Sequence, residues 1–175
     1  MKYPKFIIIL AAVMFILAAC RSNQPPEEEL ANEIPATYNS AAGSLGYPVL
    51  LNGVGIEVQQ AGLLTYEDPS SPNYVHVLLT LTVTNESSAV VVPPSMTLVD
   101  NHNNIYVSWQ APLPYEDQLV RMPLSIETGK GATGNLVFIV PKSATQDNLR
   151  LRWRSETLQA RIDVFLGPLG ERMTP

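Results

Sequence analysis

Cysteine is almost absent from this chain, because Cys20 is the single one in 175 residues. No intramolecular disulfide can form, so a folded domain must be stabilised by burying apolar side chains. With 46% hydrophobic residues, the composition supplies enough apolar surface for one such domain. The part of the chain after residue 19 has the length of one domain with a tail.

Histidine and charge are also scarce. His76 and His102 are the two histidines of the sequence, and no nucleophile elbow, metalloprotease helix, phosphate loop or paired-cysteine metal motif occurs. We therefore predict a non-enzymatic protein with no cofactor and no metal. Hydrolysis by two carboxylates stays open as an alternative, since acidic residues from distant loops can converge. The net charge of −5 predicts no binding to nucleic acid, whose phosphates repel an acidic protein.

The first 19 residues have the parts of a secretory signal. Lys2 and Lys5 carry positive charge, residues 6–19 are apolar, and small residues precede Cys20. The apolar run is shorter than the about 20 residues that cross a bilayer. The string Leu-Ala-Ala-Cys at residues 17–20 resembles the lipobox of bacterial lipoproteins. The resemblance implies cleavage before Cys20, acylation of its thiol and attachment to a membrane; an ordinary signal peptide with a nearby cysteine is the alternative.

The residue after Cys20 indicates which membrane carries the protein. Arg21 stands there, and not the aspartate that signals retention in the inner membrane of enterobacteria. We expect the outer membrane in a cell with two membranes and the outer face of the cytoplasmic membrane in a cell with one. Without Lys2 and Lys5 the net charge of −5 becomes −7, so attachment is expected through acyl chains and not through a basic surface.

Residues 20–48 are predicted to be a flexible linker that follows the lipidated N-terminus. They contain Pro25, Pro26 and Pro35, an acidic run at residues 27–29, and few large apolar side chains to bury. A coil of this length would hold its ends on the order of 30 Å apart.

Residues 49–175 show the alternation that is typical of strands. In residues 74–84, five apolar side chains fall on one face and mostly polar ones on the other. Similar alternation occurs at 54–58, 149–154 and 158–164, a hairpin is indicated at 96–109, and residues 136–140 are apolar on both faces, as in a central strand. No stretch has helical periodicity long enough for a crossover. We predict an all-β, immunoglobulin-like antiparallel sandwich of about seven strands.

Three strings within residues 74–153 resemble uncharacterised bacterial extracellular domains with a telokin-like, immunoglobulin-like sandwich. They are LTLTVTN at 79–85, SMTLVDNHNNIY at 95–106 and ETGKGATGNLVFIVP at 127–141, with Thr128 where the family usually has proline. A secreted mycobacterial antigen belongs to the same structural group. The resemblance implies an extracellular sandwich, commonly found on lipoproteins, with no shared activity and no catalytic residues.

The connection formed by residues 109–126 is the first candidate binding site. Trp109, Leu113, Tyr115 and Met122 lie there among prolines and acids, and such side chains often anchor recognition loops. Two interpretations stand equally. These side chains bind an envelope protein or a surface polymer, or they cap one end of the core.

A row of arginines is the second candidate site. Arg150, Arg152 and Arg154 alternate with apolar residues and therefore point from one face of a strand. The row would suit a carboxylate-rich partner. The favoured interpretation is that the arginines pair with acids across the sheet. Such charged side chains also prevent an exposed strand edge from pairing with another chain.

Two metal sites were considered and neither is predicted. The turn Asp-Asn-His-Asn-Asn at residues 100–104 offers oxygen ligands for calcium but lacks the glycine and terminal acid of an EF-hand loop, which favours a plain hairpin. Met96, Met122, His76 and His102 have side chains that suit copper. No close spacing supports such a site.

These observations together predict a lipid-anchored, extracytoplasmic binding module of the bacterial cell envelope. The sequence does not identify its ligand. The second candidate is a structural or assembly component of an envelope complex, and the third is a polymer hydrolase with paired carboxylates.

Overall fold

The structure, a computed structural model, describes residues 37–64 and 71–173, without the side chains of 170–173. The predicted signal peptide at 1–19, the lipidation site Cys20 and the linker as far as residue 36 lie outside the described residues. Among these residues, no helix is long and apolar enough to cross a bilayer.

The described residues form ten strands and three short 3-10 helices. The strands are β1 (Asn39–Ser44), β2 (Val49–Leu51), β3 (Val54–Leu64), β4 (Tyr74–Asn85), β5 (Thr97–Val99), β6 (Ile105–Val107), β7 (Lys130–Pro141), β8 (Leu149–Ser155), β9 (Ala160–Gly167) and β10 (Gly170–Met173). The 3-10 helices are Pro93–Ser95, Glu116–Gln118 and Lys142–Gln146.

The strands make two sheets that enclose one main core. Sheet A has the order β1-β9-β8-β5-β6, and sheet B has the order β10-β3-β4-β7, with β2 also paired to β3. This confirms the predicted all-β sandwich. The expectation of antiparallel pairing fails at two places, because β1 runs parallel to β9 and β10 runs parallel to β3.

The core follows from the alternation of apolar residues along the strands. On β4, Val77, Leu79 and Leu81 are fully buried against the other sheet. On β8, Leu151 and Trp153 fill the same space from the opposite side. Alternate side chains of a strand point to opposite faces, so the polar positions between these residues lie on the outer faces of the sandwich.

Asn85 closes the turn after β4 with its own side chain. Its Nδ2 donates to the carbonyl oxygens of Ala89 and Ile126, both at 2.8 Å. Its Oδ1 accepts from the backbone N–H and the hydroxyl of Ser87, at 3.0 and 2.6 Å. The side chain is fully buried, so these four hydrogen bonds satisfy the whole amide inside the protein.

Strand β1 lies in the segment predicted to be linker, and the prediction therefore does not hold for residues 39–44. The strand pairs with β9 along its whole length, from Asn39 opposite Ala160 to Ser44 opposite Phe165. Its residues are small and polar, so they carry no apolar alternation. The strand forms because the edge of β9 offers backbone groups to pair with. The compact unit begins at Thr37 and not at residue 49.

Strand β7 is the last strand of sheet B, and not a central one as its apolar residues suggested. Both faces of β7 are apolar because both are covered. Val137, on the outer face, is fully buried under the connection formed by residues 109–126. The edge of β7 that pairs with no strand accepts hydrogen bonds from the same connection. The N–H of Trp109 donates to the Val137 carbonyl at 2.7 Å, and that of Met122 to the Asn135 carbonyl at 3.1 Å.

Candidate functional site

The predicted binding connection, residues 109–126, covers the outer face of sheet B. Part of it builds a second apolar cluster on that face, which consists of Leu64, Leu78, Leu113, Tyr115 and Val137, with Leu119 packed against it. Leu113 and Tyr115 are therefore buried, at 9% and 6% exposure. Met122 is buried in the main core. These three side chains pack inside the protein and do not offer a contact surface, and only the fourth predicted anchor, Trp109, is exposed, at 41%.

Arg121 holds this connection in place. Its guanidinium donates to both carboxylate oxygens of Glu116, at 2.7 Å each, and to the Trp109 carbonyl at 2.8 Å. The hydrogen bonds from Arg121 lower the pKa of Glu116, against a smaller opposing effect of burial. A bidentate pair of this kind fixes geometry as well as charge, so the backbone around Trp109 is held in one conformation.

Gly134 on β7 lets the connection approach the sheet. A Cβ at this position would lie 2.7 Å from the Val120 carbonyl oxygen and 2.9 Å from the Met122 nitrogen. Both are backbone atoms that are themselves bonded to Asn135, so neither can move aside. Glycine is required here for the connection to bond to the edge of β7.

An open pocket of about 320 Å³ lies between the connection and sheet B. It is lined by Ser71, Tyr74, His76, Trp109, Pro112, Leu113, Pro114 and Ile139. Trp109 and Tyr74 are 41% and 48% exposed and present two aromatic side chains to an entering group. The volume is at the lower end of the range for small-ligand sites, about 300–1,000 Å³, so it suits a small ligand group.

His76 supplies a polar group to this otherwise apolar pocket. The side chain is buried, and its Nδ1 is hydrogen-bonded to the Tyr115 hydroxyl. The two rings are tilted, with centroids 5.9 Å apart. Sequence reasoning assigned His76 and Tyr74 only to the polar face of a strand. The signal it overlooked is Leu78 on that same face, which indicated that something covers this part of β4.

The described lining residues of the pocket include no carboxylate. They therefore offer no pair of acids for the polymer hydrolase alternative. The arrangement of flat apolar side chains with one imidazole suits binding of a planar or apolar group.

A cluster of metal-ligating side chains occurs at the β5–β6 turn. Atoms of Asp100, His102 and Asp147 lie within 4.8 Å of one another. The Asp100 carboxylate already accepts four hydrogen bonds, from the N–H groups of His102 and Asn104, the Asn104 side chain and the Tyr106 hydroxyl. These bonds are those of a hairpin turn closed by an aspartate.

The pKa values at this turn reflect the same contacts. Burial alone raises the pKa of Asp100, but hydrogen bonds from Asn104 and Tyr106 and from backbone N–H groups outweigh it, and the pKa is lowered. Burial and the bond to Asp100 raise the pKa of Tyr106 to about 12. The phenol therefore stays protonated and donates at neutral pH.

The four side chains considered for copper lie in different parts of the fold. Met96 and Met122 belong to the main core. His76 lies under the connection on sheet B, and His102 is exposed on the β5–β6 turn of sheet A.

The predicted arginine row lies on the outer face of sheet A and surrounds one acid. Arg152 donates to both oxygens of Asp163, at 2.7 and 3.1 Å. Arg150 and Arg161 approach the same carboxylate at 4.0 and 3.4 Å, and Arg150 also donates to the Asn103 side chain at 3.1 Å. Pairing across the sheet thus accounts for Arg152. Arg161 is a fourth arginine of this group, which the row taken from one strand did not include.

Arg154, the third member of the predicted row, has another contact. Its guanidinium carbon lies 4.9 Å from the centre of the Tyr38 ring. The Tyr38 hydroxyl is hydrogen-bonded to Glu156, and this bond raises the Tyr38 pKa. The contact ties the beginning of the domain to the β8–β9 hairpin.

No family model and no protein of curated function matches the chain, so the resemblance to telokin-like domains depends on its motifs alone. Solved structures similar to the chain include the yjhA protein of Bacillus subtilis (14% identity, 71% of this chain and 98% of that one, TM-score 0.48). A second is an uncharacterised β-sandwich protein of Clostridium difficile (11%, 81% and 99%, TM-score 0.44). A third is ycdA of Bacillus subtilis, described as a lipoprotein candidate (18%, 64% and 37%, TM-score 0.43). Similarities this low carry nothing about function.

Proposed function

We propose that this protein is a lipid-anchored, non-enzymatic binding module of the bacterial cell envelope that holds its ligand in the pocket beside Trp109. The anchor is the acylated Cys20, and the sandwich is an extracytoplasmic domain of the telokin-like, immunoglobulin-like kind. The membrane would be the outer one in a cell with two membranes, and the cytoplasmic one in a cell with a single membrane.

The observation that carries the binding role is the pocket. Two partly exposed aromatic side chains, Trp109 and Tyr74, stand at its sides. Aromatic anchors on a rigid support lose little conformational entropy on binding, which is why they dominate recognition sites. The support is rigid here because Arg121 and Gly134 fix the connection to sheet B.

The ligand is an envelope protein or surface polymer that presents one planar or apolar group. The pocket volume of about 320 Å³ suits a small group, since it is at the lower end of the range for ligand sites. His76 adds a polar contact at the base of the pocket.

The anchor is tested by blocking its formation. Wild-type protein and Cys20→Ala are compared for processing and membrane fractionation, with and without globomycin. We expect Cys20→Ala to leave the precursor uncut and unlipidated, and globomycin, which blocks only the cleavage step, to leave the wild-type precursor uncut with its thiol acylated. Unchanged processing and fractionation would remove the basis for a lipid anchor.

The pocket is tested by retention of envelope components on the immobilised full-length protein. Trp109→Ala is compared with Tyr47→Ala, because Tyr47 is also an exposed aromatic residue, at 71% exposure, but does not line the pocket. We expect Trp109→Ala to lose the retained component and Tyr47→Ala to keep it. Equal retention by the two variants would refute the pocket as the binding site.

A permanent structural role in an envelope complex is the second candidate. It differs from transient recognition in one measurable respect. A partner that co-purifies in fixed ratio and protects the Trp109 side chain from solvent quenching throughout purification would favour it.

A further inference from the structure

We propose that Arg154 and Arg161 bind the phosphate headgroups of anionic membrane lipids, so that the β8–β9 end of the domain docks on the bilayer. This inference rests on the proposed lipid anchor, which brings the domain to a membrane. It adds a second, electrostatic contact at a defined end of the sandwich.

The first support is an excess of positive charge on one face. Four of the seven arginines of the sequence lie on the outer face of sheet A, at positions 150, 152, 154 and 161. The carboxylates beside them are Asp163, which is paired with Arg152, and Glu156, which is bonded to Tyr38. Two positive charges remain in excess at this face of an otherwise acidic protein.

The second support is the pairing of Arg154 with Arg161. They are directly opposite each other in the antiparallel pair of β8 and β9. Like charges in this position destabilise a sheet, and the Asp163 carboxylate, 3.4 Å from Arg161 Nε, offsets this for Arg161 but not for Arg154. Two guanidinium groups offer several N–H donors in the geometry that phosphate oxygens accept.

The donors of this pair are accessible and incompletely used. Arg154 is exposed and its side chain contacts the Tyr38 ring. The Arg161 side chain is 38% exposed. Its Nε is buried, without a hydrogen-bond partner among the described residues, and faces Asp163 at 3.4 Å, so the terminal nitrogens of the guanidinium are the donors that a phosphate would meet. Arg152, in contrast, is already saturated by Asp163.

The third support is the place where the chain enters the domain. Tyr38, which contacts Arg154, is the second described residue and lies eighteen residues after Cys20. The arginine pair is therefore at the end of the domain to which the anchored segment leads.

The net negative charge of the protein does not prevent this contact. At physiological ionic strength the Debye length is about 8 Å, so a headgroup beside Arg154 interacts with the nearby arginines and little with distant acids. An acyl chain with a basic patch is also a known route to stable membrane attachment. The sequence-based expectation of attachment through acyl chains alone missed this patch because Arg154 and Arg161 meet only in the folded sheet.

The test measures which end of the lipidated protein faces the bilayer. Thr157→Cys places a fluorescent label in the turn between β8 and β9, and Asn101→Cys places one at the opposite end of sheet A. Acylation of Cys20 leaves each introduced cysteine as the only thiol. Energy transfer to an acceptor lipid is compared in vesicles of phosphatidylcholine and in vesicles that also contain phosphatidylglycerol.

We expect the Thr157 label, and not the Asn101 label, to gain transfer when phosphatidylglycerol is present. Arg154→Gln/Arg161→Gln should abolish the gain, since each arginine near an anionic surface contributes about fivefold to the docking equilibrium. Lys130→Gln/Lys142→Gln removes the same charge from exposed sites elsewhere and should keep the gain. Thermal unfolding of both double variants checks that they remain folded.

Two results would overturn the inference. One is equal transfer in the two kinds of vesicle, and the other is a gain that survives Arg154→Gln/Arg161→Gln. If the arginine variant instead loses an acidic protein from envelope extract while transfer is unaffected, the pair binds a protein carboxylate and not the membrane. Protein that floats with both vesicles but shows no gain contradicts only this inference, whereas protein that floats with neither contradicts the anchor as well.

Discussion

The guanidinium of Arg121 donates two hydrogen bonds of 2.7 Å to the Glu116 carboxylate and a third hydrogen bond to the Trp109 carbonyl. This ion pair stabilises the connection formed by residues 109–126, which is one wall of the pocket. The apolar contacts of Leu113 and Tyr115 seat the same connection on sheet B. The pocket wall thus depends on this packing, on the Arg121–Glu116 ion pair and on the hydrogen bond from the Trp109 N–H to the Val137 carbonyl.

Replacement of Arg121 by leucine should loosen the pocket wall more than it destabilises the whole domain. We expect the free energy of unfolding to fall by about 1–2 kcal/mol, because a partly exposed bidentate pair is lost. Amide hydrogen exchange in residues 109–119 should accelerate, and ligand retention should weaken. Arg121→Lys keeps the positive charge but not the bidentate hydrogen bonds. Its exchange rate and ligand retention should lie between those of the wild type and of Arg121→Leu. Unchanged exchange in this segment would show that packing alone holds it.

Removal of the Tyr106 hydroxyl should alter the acid limb of the stability curve. The folded protein lowers the pKa of Asp100, so this group contributes stability above its unfolded pKa and loses the contribution as pH falls through the folded value. Tyr106→Phe removes one bond to the carboxylate and should cost about 1 kcal/mol at pH 7. Urea unfolding of both proteins should show that this difference shrinks as pH falls below the pKa of an unfolded aspartate, about 3.9, and vanishes at the still lower pH where Asp100 of the folded protein is protonated. A difference independent of pH would contradict the role of the bond.

Asn85 should be among the most sensitive polar residues of the domain. Asn85→Ala leaves buried groups of the turn without their partners, and we expect a loss of about 2–4 kcal/mol. Asn85→Asp should be at least as harmful near neutral pH, because a buried carboxylate would face the Ala89 and Ile126 carbonyl oxygens. Thermal unfolding checks both variants, with Asn101→Ala on an exposed turn as the control. Similar melting temperatures for Asn85→Ala and the control would be inconsistent with this role.

Strand β1 should behave as part of the domain and not as linker. Ala41 packs against the core, whereas Ser40 is exposed. Ala41→Asp should therefore lower the free energy of unfolding by about 1–3 kcal/mol, while Ser40→Asp, opposite Arg161, should be nearly neutral. If the full-length variants melt at the same temperature, β1 contributes nothing to stability.

The parts of the fold that depend on local alternation could be predicted from the sequence. Strands β4 and β8 are examples, because each places one apolar face in a core and the period of two is visible in the residues. The turn at Asn85 was predictable in part, since three of its bonds involve the neighbours Ser87 and Ala89, whereas the bond to Ile126 joins residues 41 positions apart. The predictions that failed concern features that depend on a partner distant in the sequence. Strand β1 has no pattern of its own and exists only because β9 pairs with it.

The candidate site was harder to predict, because its contacts are not local. The His76–Tyr115 bond joins residues 39 positions apart, and the Arg154–Arg161 pair requires the register of two strands. The connection at 109–126 was singled out as a binding site, which stays a prediction, and three of its four predicted anchors are buried. Leu78, an apolar residue on what was taken for the polar face of β4, was the sequence signal that those anchors had a surface to cover.

The parallel pairing of β1 with β9 has a consequence for release of the domain by proteolysis. While β1 is paired with β9, the backbone of the Val-Phe-Leu sequence at residues 164–166 has no unpaired strand edge on that side. Cleavage before Thr37 would free a fragment with that edge still capped, which should stay monomeric. Cleavage between β1 and β2 would leave β1 held by its pairing alone, and its departure would expose a template for self-association and aggregation.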